Sequence, residues 1–198
     1  MISLGTWFWL MVIFFAIIGI GRGWTKEIIA TSGLVLSLFA LNQFGYYLVS
    51  LLGAAVDPTA PGYDPMAVRR QQFYILTAVH LFITFFSYQG PTLAGGRLSE
   101  RLRVRDSLQD KVLGALVGAV NGYLIVGTIW AFLEFNVTPT EGWVRLPANE
   151  FYPFPIETLT RPVAELASLI EKLPLPALSP YLPFLVVIVF LFVIIVMI

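Results

Sequence analysis

The sequence contains no cysteine and only one histidine, His80. Without cysteine the chain cannot form disulfide bonds, thiolate metal sites, thiol nucleophiles or palmitoyl anchors, and one histidine excludes a metal site built from several. Charged residues are also scarce. They make up 12% of the 198 residues, whereas about a quarter of a typical soluble domain is charged. No nucleophile–base pair and no metal-ligand cluster occurs at a recognisable spacing, so the sequence predicts a protein that is not an enzyme and has no cofactor of its own.

Apolar residues are abundant, at 58% of the chain. Five stretches contain no charged residue: 1–21, 28–56, 71–96, 112–133 and 173–198. Each exceeds the roughly 20 residues that a helix needs to cross the bilayer core, and none shows the alternation of barrel strands. The sequence therefore predicts an all-α, polytopic transmembrane bundle, with a four-helix unit and a fifth C-terminal span. The predicted spans are about 4–21, 28–52, 71–89, 112–133 and 182–198.

The basic residues indicate an orientation in the membrane. The segments between spans one and two and between spans three and four carry seven Lys or Arg, against five in the other two segments. Five of the seven are Arg97, Arg101, Arg103, Arg105 and Lys111. Because such residues concentrate in cytoplasmic loops, the sequence predicts an outer N-terminus and a cytoplasmic C-terminus. Aromatic rings favour membrane interfaces, and four tryptophans lie at predicted span ends: Trp7, Trp9, Trp24 and Trp130.

The stretch GIGRGWTKE, residues 19–27, joins the first two spans and is rich in glycine. A dinucleotide-binding GxGxxG is incomplete, because Trp24 or Lys26 occupies the third glycine position, and no P-loop pattern is present. A tight corner between two membrane helices explains the stretch better, since glycine permits a sharp turn. Glu27 would then lie in the first turn of span two, where a negative charge suits the helix dipole.

Two motifs in the chain resemble those of one family. A Gly-x-x-Arg-Gly-x-x-(Arg/Lys)-Glu corner is formed by Gly19, Arg22, Gly23, Lys26 and Glu27. An Asp-basic pair followed by Leu-Gly-x-x-x-Gly is formed by Asp110, Lys111, Leu113, Gly114 and Gly118. In the order and spacing of these motifs the chain resembles the colicin V production protein family over about residues 1–135. The resemblance implies a bacterial inner-membrane protein linked to export of a peptide toxin and to envelope physiology. Family members usually have four spans, so residues 136–198 depart from the pattern.

The predicted domains follow from these spans. Residues 1–135 form the four-span membrane domain, 136–181 an outer loop, and 182–198 the C-terminal transmembrane helix. Within the loop, apolar positions recur on one face of 160–173, which predicts an amphipathic helix lying on the membrane interface or on another protein. A second amphipathic stretch is predicted along the inner leaflet at 94–111. The last span has no Gly, Ser or Thr and is expected at the edge of the bundle, against lipid or another subunit.

Span four carries small and amide residues on much the same face: Gly114, Gly118, Asn121 and Gly122. Glycines at four-residue spacing allow two helix backbones to approach closely in lipid. The favoured interpretation is packing against span two of the same chain, which has a comparable face at Gly33, Ser37 and Ala40. Homodimerisation through the same glycines is the alternative.

Span three carries a polar stripe at helical spacing: Thr77, His80, Thr84 and Ser87. An ionisable residue at membrane depth is a functional candidate by default. The favoured interpretation is a neutral His80 bonded to a neighbouring hydroxyl or to Asn121. The alternatives are a proton or solute path, and ligation of a pigment metal held by a partner complex.

Three functions are considered, of which the first is what the family resemblance implies. The first is a non-enzymatic inner-membrane protein with an envelope or export-related role. The second is a structural or accessory subunit of a larger membrane complex, and the third is a small-solute or proton transporter. The expected partners are membrane lipids and other membrane subunits or further copies of the chain. Nucleic acid is not expected, because the basic segment is short.

The predicted orientation can be tested by cysteine labelling, because the natural chain has no thiol background. Pro58→Cys and Arg145→Cys should react with an impermeant thiol reagent in intact cells, whereas Ser99→Cys should react only after the cells are opened. The opposite labelling pattern would show that the orientation is inverted.

Overall fold

The computed structural model describes residues 3–55, 61–93, 107–147, 149–155, 161 and 166–197. The described chain is mostly helical, as predicted. Four long helices come first: α1 (Leu4–Arg22), α2 (Trp24–Leu51), α3 (Pro65–Leu93) and α4 (Ser107–Glu134). A two-stranded hairpin and three further helices follow: β1 (Phe135–Thr138), β2 (Gly142–Arg145), α5 (Ala167–Ile170), α6 (Pro174–Leu178) and α7 (Leu182–Met197). The bundle has a corner end, where α1 turns into α2, and a hairpin end, where α4 enters β1.

Among the described residues, α1, α2 and α4 are long and apolar enough to cross a membrane. Their length and composition indicate a membrane protein. Helix α3 has 29 residues, but Gln71, Gln72 and the polar stripe lower its hydropathy. The apolar segment of α7, Leu182–Phe192, is shorter than the spanning helices. The arrangement of four spans plus one therefore stays a prediction.

Local chemistry explains where the long helices begin. Ser3 caps α1, since its side chain accepts a hydrogen bond from the backbone N–H of Thr6 at 3.2 Å. Asp64 caps α3 by accepting from the N–H of Met66 at 2.9 Å, and Pro65 occupies the first helical position. Between α1 and α2, Gly23 has φ of 80°, a conformation that suits glycine because it has no Cβ.

Helices α1 and α4 pack with their backbones in contact along glycines. A Cβ added to Gly19 would overlap the carbonyl oxygen of Gly114, and one added to Gly118 would lie 2.5 Å from the carbonyl oxygen of Phe15. Gly122 faces Val12 and Phe15 in the same way. The glycines of span four therefore face span one, and the expectation that they face span two is wrong.

The small-residue face of α2 packs on α3 instead. A Cβ on Gly33 would overlap the Ser87 hydroxyl, and Ser37 bonds His80. This contact lies within one chain, so it requires no second copy.

The apolar core extends from the long helices into the segment after the hairpin. Four of its aliphatic side chains are fully buried: Ile170, Leu173, Leu175 and Leu182. Gly127 of α4 makes room for Pro174, since a Cβ there would lie 2.6 Å from the proline Cδ. This segment therefore covers the bundle of its own chain.

The predicted amphipathic segments are only partly described. Within 160–173 the described helix is Ala167–Ile170, and residues 162–165 lie outside the described part. Because Ile170 and Leu173 are buried in the chain's own core, this end of the segment does not rest on a membrane surface. Most of the predicted inner stretch, with Arg97, Arg101, Arg103 and Arg105, lies outside the described residues.

The hairpin was not predicted. Strands β1 and β2 pair antiparallel from Phe135 opposite Arg145 to Thr138 opposite Gly142. Gly142, at φ 71°, closes a three-residue loop, for which a glycine in this conformation is typical. The buried members of β1, Phe135 and Val137, alternate with half-buried ones, as expected of a strand that packs on one face.

Helix α7 packs mainly on α2 and leaves a wide apolar face exposed. Phe184, Ile188 and Phe190 are each more than half exposed, whereas Leu182 at the start of the helix is fully buried. The helix is anchored at its first turn and lies at the edge of the described bundle.

The contact between α1 and α4 predicts different effects of alanine substitution at two glycines of the same helix. Gly19→Ala places a methyl group against backbone that cannot move aside, and overpacking of this kind costs about 1–3 kcal/mol. Gly21→Ala is the matched control, because a Cβ there meets nothing within 4 Å. Thermal unfolding in detergent should therefore show a lower Tm for Gly19→Ala and an equal or higher Tm for Gly21→Ala. Equal Tm values for both variants would contradict the close contact.

Candidate functional site: buried polar centres of the bundle

The first buried polar centre, the corner site, surrounds Glu27 in the first turn of α2. Glu27 is fully buried. Arg22 Nε donates to its Oε1 at 2.6 Å, while Tyr88 Oη and Asn121 Nδ2 donate to its Oε2 at 3.2 and 2.8 Å. The donors come from α1, α3 and α4. One carboxylate of α2 is therefore bonded to all three of the other long helices.

The donors of the corner site are themselves held in place. Arg22 lies over the ring of Tyr88, with its Cζ 4.6 Å from the ring centroid, and its Nη2 donates to the Tyr88 carbonyl at 3.2 Å. Asn121 Nδ2 also donates to the Glu27 carbonyl at 3.0 Å, and its Oδ1 accepts from Thr31 at 2.7 Å. Burying an ion pair is unfavourable unless such additional bonds satisfy the remaining polar atoms. The corner site meets this condition.

The two motifs that carried the family resemblance meet at this corner. Asp110 Oδ1 accepts from the backbone N–H of Trp24 at 3.1 Å, so it caps the first turn of α2 from the neighbouring helix α4. A Cβ on Gly23 would lie 2.6 Å from Asp110 Oδ2, which adds a second reason for glycine at that position. Lys26 is half-buried and Lys111 is exposed.

His80 and the polar stripe lie deeper in the bundle. His80 is fully buried, its Nδ1 lies 2.9 Å from Ser37 Oγ, and its ring meets Phe132 edge-on. Ser87 donates to the Ile83 carbonyl. Asn121, the other partner considered for His80, is engaged by the corner site.

Two atoms of the stripe, Thr77 Oγ1 and Thr84 Oγ1, have no hydrogen-bond partner among the described residues, whereas the His80 imidazole also bonds to the backbone of Ile125.

A second buried carboxylate forms the hairpin site. Glu134, the last residue of α4, is fully buried. Arg161 donates to its Oε2 from Nε at 3.0 Å and from Nη2 at 2.8 Å. Tyr152 donates to its Oε1 and accepts from Trp130 Nε1 at 3.1 Å. Trp130 is 3% exposed, so its ring packs within the protein and does not face lipid.

The hairpin site holds the segment that follows the hairpin. Arg161 also donates to the carbonyls of Leu146 and Glu150, each at 3.1 Å. Arg69 of α3 donates to Glu150 Oε2 at 3.0 Å and to the Phe151 carbonyl at 2.9 Å. Two arginines therefore tie this segment to α3 and α4.

Burial, reinforced by the Glu134 carboxylate, raises the pKa of Tyr152. Its phenol therefore stays protonated and remains a donor to Glu134.

The sequence analysis missed the hairpin site, although one signal was available. Glu134 directly follows a long charge-free span, and a carboxylate at that depth requires a partner. Arg161 was counted only as a loop charge. In the described part of the chain, no group of three or more acidic or histidine side chains could hold a metal ion.

The corner site predicts a large loss of stability when its charge is removed. In Glu27→Gln the guanidinium of Arg22, which is 23% exposed, loses its counter-charge, and breaking a buried pair costs up to about 3–5 kcal/mol. Glu171→Gln is the matched control, because Glu171 pairs with Arg145 at 3.1 Å but is 69% exposed, and exposed pairs contribute about 0–1 kcal/mol. Thermal unfolding of both variants in one detergent measures the difference. A Glu27→Gln protein as stable as Glu171→Gln would refute the structural role of the pair.

Comparison with known protein families gives a match. A family model described as Colicin V production protein matches residues 6–161. Neither the curated proteins nor the solved structures gave a match. The matched range extends past residue 135, so it includes the hairpin and Arg161 as well as the corner site. Since it covers most of the chain and both motifs, the chain belongs to the colicin V production protein family.

Proposed function

We propose that this membrane protein has no catalytic activity and serves the envelope or an export process of a bacterial inner membrane as a fixed helical unit. The observation that carries the proposal is the bonding of its two fully buried carboxylates. Glu27 and Glu134 each have both oxygens engaged by donors of the same chain. Each of these buried carboxylates accepts three hydrogen bonds from its own chain, which leaves little capacity for a substrate or a metal, and its charge serves to join helices.

The proposed topology has five spans, an outer N-terminus and a cytoplasmic C-terminus. The burial pattern of α3 supports its place as the third span. Three of the residues that lower its hydropathy, Gln72, His80 and Thr84, face the bundle, whereas Phe82 and Phe85 are exposed. A helix that is polar inside and aromatic outside can lie in lipid, because polar groups in a membrane face the bundle interior. Helix α7 would be the fifth and shortest span.

This proposal predicts that the strength of the phenotype depends on the amount of folded protein and does not depend on any single reactive side chain. In a strain lacking the chain, His80→Gln should restore the envelope or toxin-export phenotype, because glutamine can replace one hydrogen bond to Ser37. Glu27→Gln should fail in proportion to its loss of folded protein. The measurements are the phenotype and the protein level in the membrane, taken on the same cultures.

Transport of a proton or small solute through the stripe is the competing outcome of this experiment. A His80→Gln chain that reaches the wild-type level but loses the phenotype would refute the purely structural role. Proton flux into liposomes that contain the purified chain, present in the wild type and absent in His80→Gln, would then support transport.

The exposed face of α7 favours one alternative, an accessory subunit of a larger membrane complex. The helix is apolar on all sides and packs mainly on α2 at the edge of the bundle, which leaves a surface for another subunit as well as for lipid. We expect a chain lacking 184–198 to keep its Tm, because Leu182 and the buried segment before it remain.

Gentle-detergent purification followed by native mass spectrometry would compare the full and shortened chains. Subunits that co-purify only with the full chain support the alternative. A full-length chain that purifies alone or only with copies of itself would exclude it.

A further inference from the structure

The lipid-facing surface of each long helix lies between polar residues, and this surface, the apolar belt, is short. On α1 the exposed side chains from Leu10 to Ile20 are all apolar. Exposed Thr6 precedes them, together with two exposed tryptophans, and Arg22 follows them. Thr6 and Arg22 are 16 residues apart, which is about 24 Å along the helix axis. The belt on α1 is therefore at most about this high.

Helices α2 and α3 give similar heights. On α2, half-buried Lys26 and exposed Gln43 are 17 residues apart, or about 25 Å. On α3, exposed Gln71 and Gln89 are 18 residues apart, or about 27 Å. Every exposed side chain between the members of each pair is apolar or aromatic. Because the bounding residues are themselves polar, both distances are upper limits to the height of the belt.

Exposed Lys172 limits the belt on α4. Its carbonyl accepts a hydrogen bond from Tyr123, and Pro174, two residues later, lies against Gly127. Lys172 therefore lies near the levels of Tyr123 and Gly127, which are about 18 and 24 Å from Lys111 along α4. Helix α7 agrees with these values, because its 16 residues give it a length of about 24 Å.

The belts of the four long helices have their corner-end limits at one level. Arg22 of α1 donates to the carbonyl of Tyr88, which directly precedes Gln89 on α3. Asp110, which directly precedes Lys111 on α4, bonds the first turn of α2. The limits are thus tied to one another by hydrogen bonds. A short belt on one helix is therefore not offset by a displaced belt on its neighbour.

The height of the belt does not match an ordinary bilayer, whose hydrocarbon core is about 30 Å thick. Tilting cannot correct this mismatch, because a tilted helix covers less of the bilayer thickness. Long basic side chains can extend from the core toward water, but the two glutamines that limit α3 are shorter. A membrane protein with a short apolar surface can thin the bilayer around it.

We propose that the apolar belt fits phospholipids whose acyl chains form a core of about 24–27 Å, so that the protein thins the surrounding bilayer and prefers chains shorter than 18 carbons. This inference goes beyond the proposed function, because it applies to any role of the chain in a membrane. From that proposal it takes only the place of α3 as a span.

The preference can be measured with the full chain in liposomes of phosphatidylcholines whose monounsaturated chains have about 14 to 22 carbons. Phe82→Trp places an indole at an exposed position within the belt of α3, where bromine atoms on acyl chains quench its fluorescence. Competition between brominated and unbrominated lipids then gives relative affinities. We expect the highest affinity at 14–16 carbons and a severalfold lower affinity at 22 carbons, because mismatch is unfavourable on every helix.

Two results of this measurement would overturn the proposal. One is a highest affinity at 18 or more carbons. The other is an equal affinity at all lengths, which is the result expected if further copies of the chain covered the belt. An inverted orientation in the cysteine labelling would leave the measurement unchanged, since the height of the belt does not depend on which end lies outside.

Gln43→Leu and Thr140→Leu, each combined with Phe82→Trp, form a matched pair. After Gln43→Leu the next exposed polar residue along α2 is Ser50, about 10 Å further along the helix, so the affinity for 18-carbon relative to 14-carbon chains should rise. Thr140→Leu adds the same side chain in the exposed hairpin loop and should leave this ratio unchanged. Equal ratios in the two folded variants would contradict the limit at Gln43 and overturn the proposal. Should Gln43→Leu fail to fold, the chain length that Phe82→Trp prefers decides alone.

Discussion

A carboxylate is buried where four helices meet, and the arrangement of the bundle depends on its charge. Removing an ion from water costs several kcal/mol unless other groups replace its solvation. For Glu27 those groups are a guanidinium from α1, a phenol from α3 and an amide from α4. None of them can be supplied by α2 itself. The charge of Glu27 is therefore compensated only when the other three helices pack against α2 at the correct heights.

Close approach of α1 and α4 makes this bonding possible. Glycines at their contact allow the two backbones to touch, which brings Asp110 within reach of the first turn of α2. At the hairpin end of the bundle, different residues form the same kind of buried carboxylate site. Glu134 is again fully buried, again bonded to an arginine, and again assisted by a tyrosine. The protein therefore fastens each end of a largely apolar bundle with a buried carboxylate that pairs with an arginine.

The helices could be predicted because the evidence for them is local. The long charge-free runs and the corner at Gly23 can each be recognised from residues that are adjacent in the sequence. Which helices touch is a property of the folded chain, and so the glycines of α4 were assigned to the wrong neighbour. The hairpin site was missed because Glu134 and Arg161 are 27 residues apart and each resembles a solvated loop charge when considered alone. The apolar face that includes Ile170 and Leu173 was predicted to lie on a membrane interface or on another protein. It packs in the chain's own core, because the sequence pattern of an apolar face is the same whether it contacts lipid or protein.

The distance in sequence between the buried charges and their partners sets an order of events during synthesis. Arg22 is synthesised before Glu27, but Tyr88 and Asn121 come 61 and 94 residues after Glu27. Glu134 likewise emerges before Arg161. Each carboxylate therefore enters the membrane region incompletely solvated and depends on temporary contacts, with water, lipid head groups or the insertion machinery, until later segments arrive. A chain whose synthesis stops before Asn121 would lack one donor to Glu27, and one that stops between residues 134 and 161 would carry Glu134 without its arginine.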